Sequence, residues 1–232
     1  MINLKKQKNI SDLFKYYLER RMLKILLLGA ISGFPWVIIG SSLTLWLNEE
    51  GMSRSTIGWA GLIFAVYAFN YLWAPLIDRI YLPFLTKKIG HRKSWIFLMQ
   101  TIIIFCLIFW NFVDPTYQLG VVIGIGLVIA ISSSTQDITV DALRIEQIRS
   151  DEKEAMSAGA AIAVVGWWSG YKLGGAFSLY LAQFFQNLGF ENYWKLAFIG
   201  LGLIILFFNI GLLFIKEENF KTKRKNQNYL DN

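Results

Sequence analysis

Six stretches of this chain each run for about twenty residues or more with at most one internal charge, and no other feature limits its folding so tightly. They are Met22 to Leu47, Ser55 to Ile77, Ser94 to Val113, a run from Pro115 that meets no charge until Asp137, Ala155 to Phe185, and Leu196 to Ile215. A helix rises ~1.5 Å per residue and hydrocarbon is ~30 Å thick, so each run suffices for one crossing. Lipid offers no partner to a backbone N–H or C=O, and a helix satisfies both internally. The runs do not alternate polar and apolar residues, which argues against barrel strands. The composition agrees: 55% of the 232 residues are hydrophobic and 17% charged. That excludes a disordered chain and fits a water-soluble enzyme poorly. The expectation is an all-α polytopic membrane protein with six transmembrane helices. Residues 1–21 form a basic N-terminal tail, 22–215 the membrane domain, and 216–232 a polar basic C-terminal tail.

Charge placement orients the bundle. Of 23 Lys and Arg, twenty lie in the N-terminal tail and the start of span one, the second and fourth loops, and the C-terminal tail. The alternate loops hold only Arg54 and Lys195, and Lys172 lies inside span five. The positive-inside rule then places both termini in the cytoplasm, with a bacterial inner membrane as the expected location. The net charge of +7 follows from topology, and no nucleic-acid partner is expected. The N-terminal region is not a cleavable signal peptide, because its polar part is too long and no small-residue cleavage site follows. One cysteine and one histidine permit neither an internal disulfide nor a His cluster for a metal, and no cofactor is expected. Trp46, Trp59, Trp110 and Trp194 fall near one set of span ends, and Trp73 and Trp95 near the other, as an interfacial aromatic belt would have it. Trp36, Trp167 and Trp168 lie mid-span and need another explanation.

Several polar groups sit where hydrocarbon should be. Span one carries Gly29, Gly33, Pro35 and Gly40, so a kink near Gly33 to Pro35 is expected, as in the interrupted helices of transporters. Close helix packing is an equal alternative. Span four ends in SSSTQDITVDALRIE. Asp137 and Asp141 share a face at i, i+4, Arg144 can pair with Asp141, and Gln136 adds polarity. Asp137 reads either as an interfacial carboxylate held by a basic neighbour or as a proton- or solute-linked group in a watery vestibule. Lys172, midway along span five, reads as a cavity residue for a polar or anionic solute, or as half of a structural ion pair, with Trp168 one turn back as a cation–π face. Gly166, Gly170 and Gly174 form two overlapping GxxxG steps, a helix-packing signal. Asn70 and Asn209 read as interhelical hydrogen-bonding amides.

The second loop, APLIDRIYLPFLTKKIGHRKSW, pairs Asp78 and Arg79 at one helix end with Arg92 and Lys93 at the next, as a latch between helix ends. Here the chain resembles the major facilitator superfamily, whose corresponding loop carries Asp-Arg followed by Gly-Arg-Arg/Lys; the insertion Ile80 to Ile89 separates the two halves. Four further stretches, SGFPWVIIGSSLTLWL, WAPLIDRI with HRKSW, SSTQDITVDALRIE and GYKLGG, are similar to the AmpG-type muropeptide permeases, in the same order. That resemblance implies proton-coupled import of anhydro-muropeptides, cell-wall recycling fragments. It implies Gln136, Asp137, Asp141, Gly33, Pro35 and Lys172 as pathway residues, Lys172 standing where the family often has arginine. It also implies a twelve-helix whole, of which this chain carries one six-helix half. A second half, or a second copy of the chain, is then the expected partner, besides the lipid bilayer, the solute and protons.

Three readings compete. One is that half-transporter, with an acetyl-CoA-type cargo as a variant of it. Another is a truncated membrane fragment without transport. The last is an intramembrane CDP-alcohol phosphotransferase using the Asp137–Asp141 pair, which the apolar stretch upstream and Ser133 at a required glycine position argue against. No enzyme is expected.

Overall fold

The computed structural model describes residues 15–149 and 151–217. The tail residues 1–14 and 218–232 lie outside it. Among the described residues the chain is helical without strands. Six rods carry it: α1 (Arg20–Glu49), α2 (Arg54–Leu72), α3 (His91–Phe112), α4 (Pro115–Glu146), α5 (Lys153–Asn187) and α6 (Tyr193–Leu213). All but α5 are long and apolar enough to cross a membrane. At 35 residues α5 has the length, but its glycines, paired tryptophans and Lys172 dilute its hydropathy. Its polarity, and the full burial of its glycine face, mark it as a helix that meets more than lipid.

Local chemistry sets the ends. Ser53 caps α2 by accepting from Thr56 N at 3.1 Å. Asp114 caps α4 by accepting from Thr116 N at 2.8 Å, with Pro115 at the first position, where no N–H is needed. Span four extends beyond the uncharged run: the helix continues past Asp137 to Glu146. Pro35 does not break α1. The rod passes through a turn at Phe34 and a π-helical segment, Val37–Ser42, then resumes as α-helix over Leu43–Glu49. The missing proline N–H is absorbed by a change of hydrogen-bond register rather than by an interruption. α2 is wound unevenly, alternating α and 3₁₀ turns from Arg54 to Leu72.

Close backbone contact decides how the rods pack. α1 lies along α5, α3 along α4, and α6 against α3 and α5. A Cβ added at Gly33 would come within 2.1 Å of the Trp167 carbonyl oxygen, and one at Gly29 within 2.3 Å of that of Ala163. From the other side, a Cβ at Gly166 or Gly170 would meet the carbonyl oxygens of Leu26 or Ala30 at 2.3 and 2.4 Å. The GxxxG steps therefore act as packing seams, and their partner is the glycine pair of α1. Gly33 takes part in this packing.

The aromatic belt is corrected at three positions. Trp46, Trp110 and Trp194 are buried, and they converge on Phe198 with ring centroids 5.2, 4.8 and 6.0 Å away. Their N–H groups are satisfied inside the protein: Trp110 donates to Val122 O at 3.2 Å, Trp46 to Glu50 at 3.1 Å, and Trp194 to Glu49. They sit at the expected end but close the bundle there instead of facing lipid. Trp59 does face outward. Asn209 departs from expectation too: it is buried, and its carbonyl oxygen has no partner among the described residues.

Candidate solute and ion pathway

Inside the bundle, α1, α2 and α4 bring together a cluster of polar side chains. Ser32, on α1, donates to Asp137 Oδ1 on α4 at 2.6 Å. One residue back on each helix, Gln136 Nε2 donates to the carbonyl oxygen of Ile31 at 2.7 Å. From α2, Tyr67 faces Asp137 and Ser133, and Trp36 of α1 faces the same carboxyl. Four polar atoms here are buried: Trp36 Nε1 turns to the Asp137 carboxyl, Tyr67 Oη to Ser133 Oγ, and Gln136 Oε1 has no partner among the described residues. Thr135 is better served, accepting from Trp73 Nε1 at 3.0 Å. Buried polar groups are normally satisfied by protein or by ordered water, and here they turn toward one another across three helices.

Asp141 takes a different role. It is exposed and paired with Arg144, Nη2 to Oδ1 at 3.1 Å, as the i, i+3 spacing suggests. It stands one turn beyond Asp137, toward the basic end of the bundle. Of the two helix-four carboxylates, Asp141 pairs with Arg144 and Asp137 accepts from Ser32.

Lys172 lies on the outward face of α5, its ammonium 5.2 Å from the Trp168 ring centroid. No ion pair joins it to Asp137 or to any other carboxylate among the described residues. A series of ring contacts links the two sites instead. Trp168 meets Trp167 at 5.1 Å, Trp167 meets Trp36 at 5.5 Å, and Trp36 meets Tyr67 at 4.6 Å. Tyr171 stacks on Trp167 at 5.6 Å and lies 3.5 Å from the Ser41 hydroxyl. These contacts answer the question left by the mid-span tryptophans. Gly33 and Pro35 stand behind this wall: Gly33 brings α1 onto Trp167, and Pro35 precedes Trp36.

The second-loop latch forms across the insertion. Ile80 to Ile89 contains the short helix Leu85–Ile89 and does not keep its flanks apart. Arg92 pairs with Asp78 and lies 3.8 Å from Glu146 at the end of α4. Trp95 donates to Ile80 O at 3.0 Å. Arg79 joins no ion pair among the described residues. Lys93 is buried near Glu217, a partner the sequence did not suggest. The Glu217 carboxylate accepts from Arg92 N and Lys93 N at 2.8 and 3.1 Å, and so caps α3 from beyond α6. Gly90, at φ +104°, leaves the room it needs: a Cβ there would meet Glu217 Oε2 at 2.4 Å.

Sequence reasoning missed Ser32 and Tyr67. Ser32 carried a signal, being four residues before Trp36 and so on its face. Tyr67 carried none, since a tyrosine in an apolar run reads as packing.

Comparison with known proteins fits this geometry. The profile of the Major Facilitator Superfamily matches residues 25–228. The chain is 33% identical over 217 residues to "Putative transporter AmpG 4" of Rickettsia felis, covering 94% of this chain and 50% of that protein. It is 35% identical over 214 residues to "Putative transporter AmpG 3" of Rickettsia prowazekii, covering 92% and 49%. With the "Anhydromuropeptide permease" of Escherichia coli K12 it shares 32% identity over 196 residues, 84% of this chain and 38% of the permease. The chain thus spans half or less of the length of these relatives.

Proposed function

This chain belongs to the major facilitator superfamily, as an AmpG-type member, and from that membership we propose that it works as one six-helix half of a proton-coupled muropeptide permease. It is a multi-pass membrane protein of a transporter family and not an enzyme. The reading places it in a bacterial inner membrane with both termini cytoplasmic, from the distribution of Lys and Arg. A second six-helix half, or a second copy, completes the solute path, since superfamily solutes bind between halves.

The observation that carries the proposal is Asp137 under the Ser32 hydroxyl, among the buried polar groups of Trp36, Tyr67, Ser133 and Gln136. An acid inside a membrane bundle is costly unless water, a partner or a passenger reaches it. A carboxyl with a hydroxyl donor and polar neighbours can exchange a proton with water entering the cluster. Lys172 supplies a cation that no carboxylate among the described residues pairs with, suited to an anionic group of the solute. Asp141, Gln136, Gly33 and Pro35 support the same path as the Arg144-held outer acid, a pocket amide and two wall residues. Asp78, Arg92 and Lys93 hold its cytoplasmic end, and Arg79 adds charge there.

The test is uptake of labelled anhydro-muropeptide into proteoliposomes, with and without an inward-acid pH gradient, by this chain alone and with a complementary six-helix polypeptide. Gradient-driven uptake in either setting supports the proposal. No uptake in both, by protein shown to be folded and inserted, refutes it. Asp137→Asn is expected to abolish the response to the gradient.

A further inference from the structure

An apolar groove of about 340 Å³ runs between α1, α5 and α6. By helical periodicity Ser169 and Leu173 lie on one side of the α5 glycine stripe and Trp167 and Tyr171 on the other, so the groove is separate from the pathway described above. Ala30 of α1 and Gly170 and Gly174 of α5 line its floor. Phe208 of α6 lines the far wall, and its ring meets that of Phe34 edge-on at 5.4 Å. Leu173 stands at the rim, 72% exposed. The Ser169 hydroxyl also borders the groove, but it already donates to Val165 O at 2.7 Å. A polar solute would find no bonding group there, whereas a hydrocarbon chain loses nothing by entering.

The mouth of the groove is charged. Arg20, Leu23, Leu27, Ala30 and Phe34 recur at alternating spacings of three and four, which puts them on one stripe of α1. Leu27 packs on α6, since a Cβ at Gly211 would stand 3.0 Å from its Cδ2. Beyond Leu27 the stripe leads over exposed Leu23 to exposed Arg20, with Lys24 beside it, while α6 runs out to exposed Lys216. None of these three cations joins an ion pair among the described residues.

We propose that the groove and its mouth form a site for one anionic glycerophospholipid: Arg20, Lys24 and Lys216 hold the phosphate headgroup, and an acyl chain lies along Ala30, Gly170 and Gly174. The depths agree. By helical rise Ala30 lies roughly 9 Å and Phe34 roughly 15 Å inward of Lys24. Half the hydrocarbon thickness is also about 15 Å, so a chain whose headgroup sits at the cations ends where the groove ends. Basic clusters between membrane helices attract anionic headgroups by charge, and the groove adds a fixed place for the tail. A second copy of the chain fits the same surface poorly. A two-fold contact here would bring the three free cations of one copy against the same three of the other. A whole helix, about 10 Å across, is also too wide for a groove of this volume.

The purified chain in detergent is offered phosphatidylglycerol and phosphatidylcholine of the same acyl length in equal amounts, and the retained lipid is read by native mass spectrometry. One phosphatidylglycerol per chain should be kept in preference to phosphatidylcholine. Phosphatidylglycerol bearing a diazirine on its acyl chain should crosslink to the peptides that hold Ala30 and Leu173. Lys24→Gln should lower the preference by about fivefold, and the triple change Arg20→Gln, Lys24→Gln, Lys216→Gln by more than tenfold. Ser169→Phe, which fills the groove from α5, should reduce retention of both lipids and abolish the crosslink. Leu173→Trp, at the exposed rim, does the same task should the first variant not fold. Lys195→Gln, at the opposite end of α6, is the control and should change nothing. Equal retention of the two lipids by the unaltered chain, or a preference that survives the triple change, overturns the proposal. So does a crosslink that maps away from the groove, or retention unchanged by a folded groove-filling variant. A Leu173→Cys chain that forms a disulfide with a second copy and keeps no lipid overturns it as well, and makes the groove a subunit contact.

Discussion

The Ser32 hydroxyl of α1 donates to the Asp137 carboxylate of α4 at 2.6 Å, and this bond ties the first span to the acidic end of the fourth. Trp36 faces the same carboxylate from one turn further along α1. Ser32→Ala removes the hydroxyl bond and takes one donor from a buried polar cluster. Side-chain hydrogen bonds between membrane helices are worth about 0.6 kcal/mol on average and up to about 1.7. A loss of about 1 kcal/mol is therefore expected, read as a lower melting temperature in detergent. If the fold is unaltered and the gradient response also stays intact, Asp137 does not depend on this donor.

The α1–α5 seam makes a sharper forecast. A methyl at Gly33 meets a backbone carbonyl at 2.1 Å, and backbone cannot step aside as a side chain can. Overpacking of this kind costs about 1–3 kcal/mol, and Gly33→Ala belongs at the upper end. Gly166→Ala should behave likewise. Gly175→Ala, on the same α5 but facing open space, should leave thermal stability where it was. Equal melting temperatures for Gly33→Ala and Gly175→Ala would contradict the packing described.

Arg92 should outweigh other surface arginines. It is mostly covered and holds Asp78 with Glu146 nearby, whereas Arg149 and Asp151 pair in the open. Exposed pairs contribute about 0–1 kcal/mol. Arg92→Ala should thus lower stability measurably and raise protease cutting in the second loop, while Arg149→Ala changes neither. Limited proteolysis of the two variants side by side decides this.

One acid dependence follows from the start of α5. The Arg21 guanidinium donates to Glu152 and holds its carboxyl below the ordinary value of 4.5. A carboxyl depressed on folding contributes stability that is complete above its unfolded value and lost as pH falls through the folded one. Stability should therefore drop below about pH 4.5, and Glu152→Gln should flatten that part of the profile. An unchanged acid limb in the variant would remove Glu152 from the account.

Solvent access near Lys172 is open to direct measurement. In a Cys106→Ser background, Gly175→Cys should react with a membrane-impermeant maleimide in proteoliposomes, and Ala182→Cys, buried in the core, should not. Silence at both positions would leave the α5 face in lipid or under protein.

Much of this architecture was legible because hydrocarbon is a demanding solvent. Long uncharged runs can hardly be anything but helices, and the glycines of span five announced a close neighbour. Which neighbour could not be read, because Gly29 and Gly33 looked equally like the site of a kink. The Asp141–Arg144 pair was legible from local spacing. Ser32–Asp137 was not, because a contact between residues 105 apart depends on helix rotation, which no local pattern fixes. The belt tryptophans erred for a related reason. Sequence position gives the level of a ring along the bundle but not whether it looks in or out, and Trp46, Trp110 and Trp194 look in.

Where glycine backbone rests on glycine backbone, no cushion of side chains is left to shear. α1 and α5 are in that sense a single spar, and the ring contacts across them are held in place by it. If the bundle rocks, the give must come from elsewhere, and α2, with its mixed 3₁₀ and α winding and only 11% of its apolar window covered, is the pliant member. Tyr67, which faces Asp137, rides on that member.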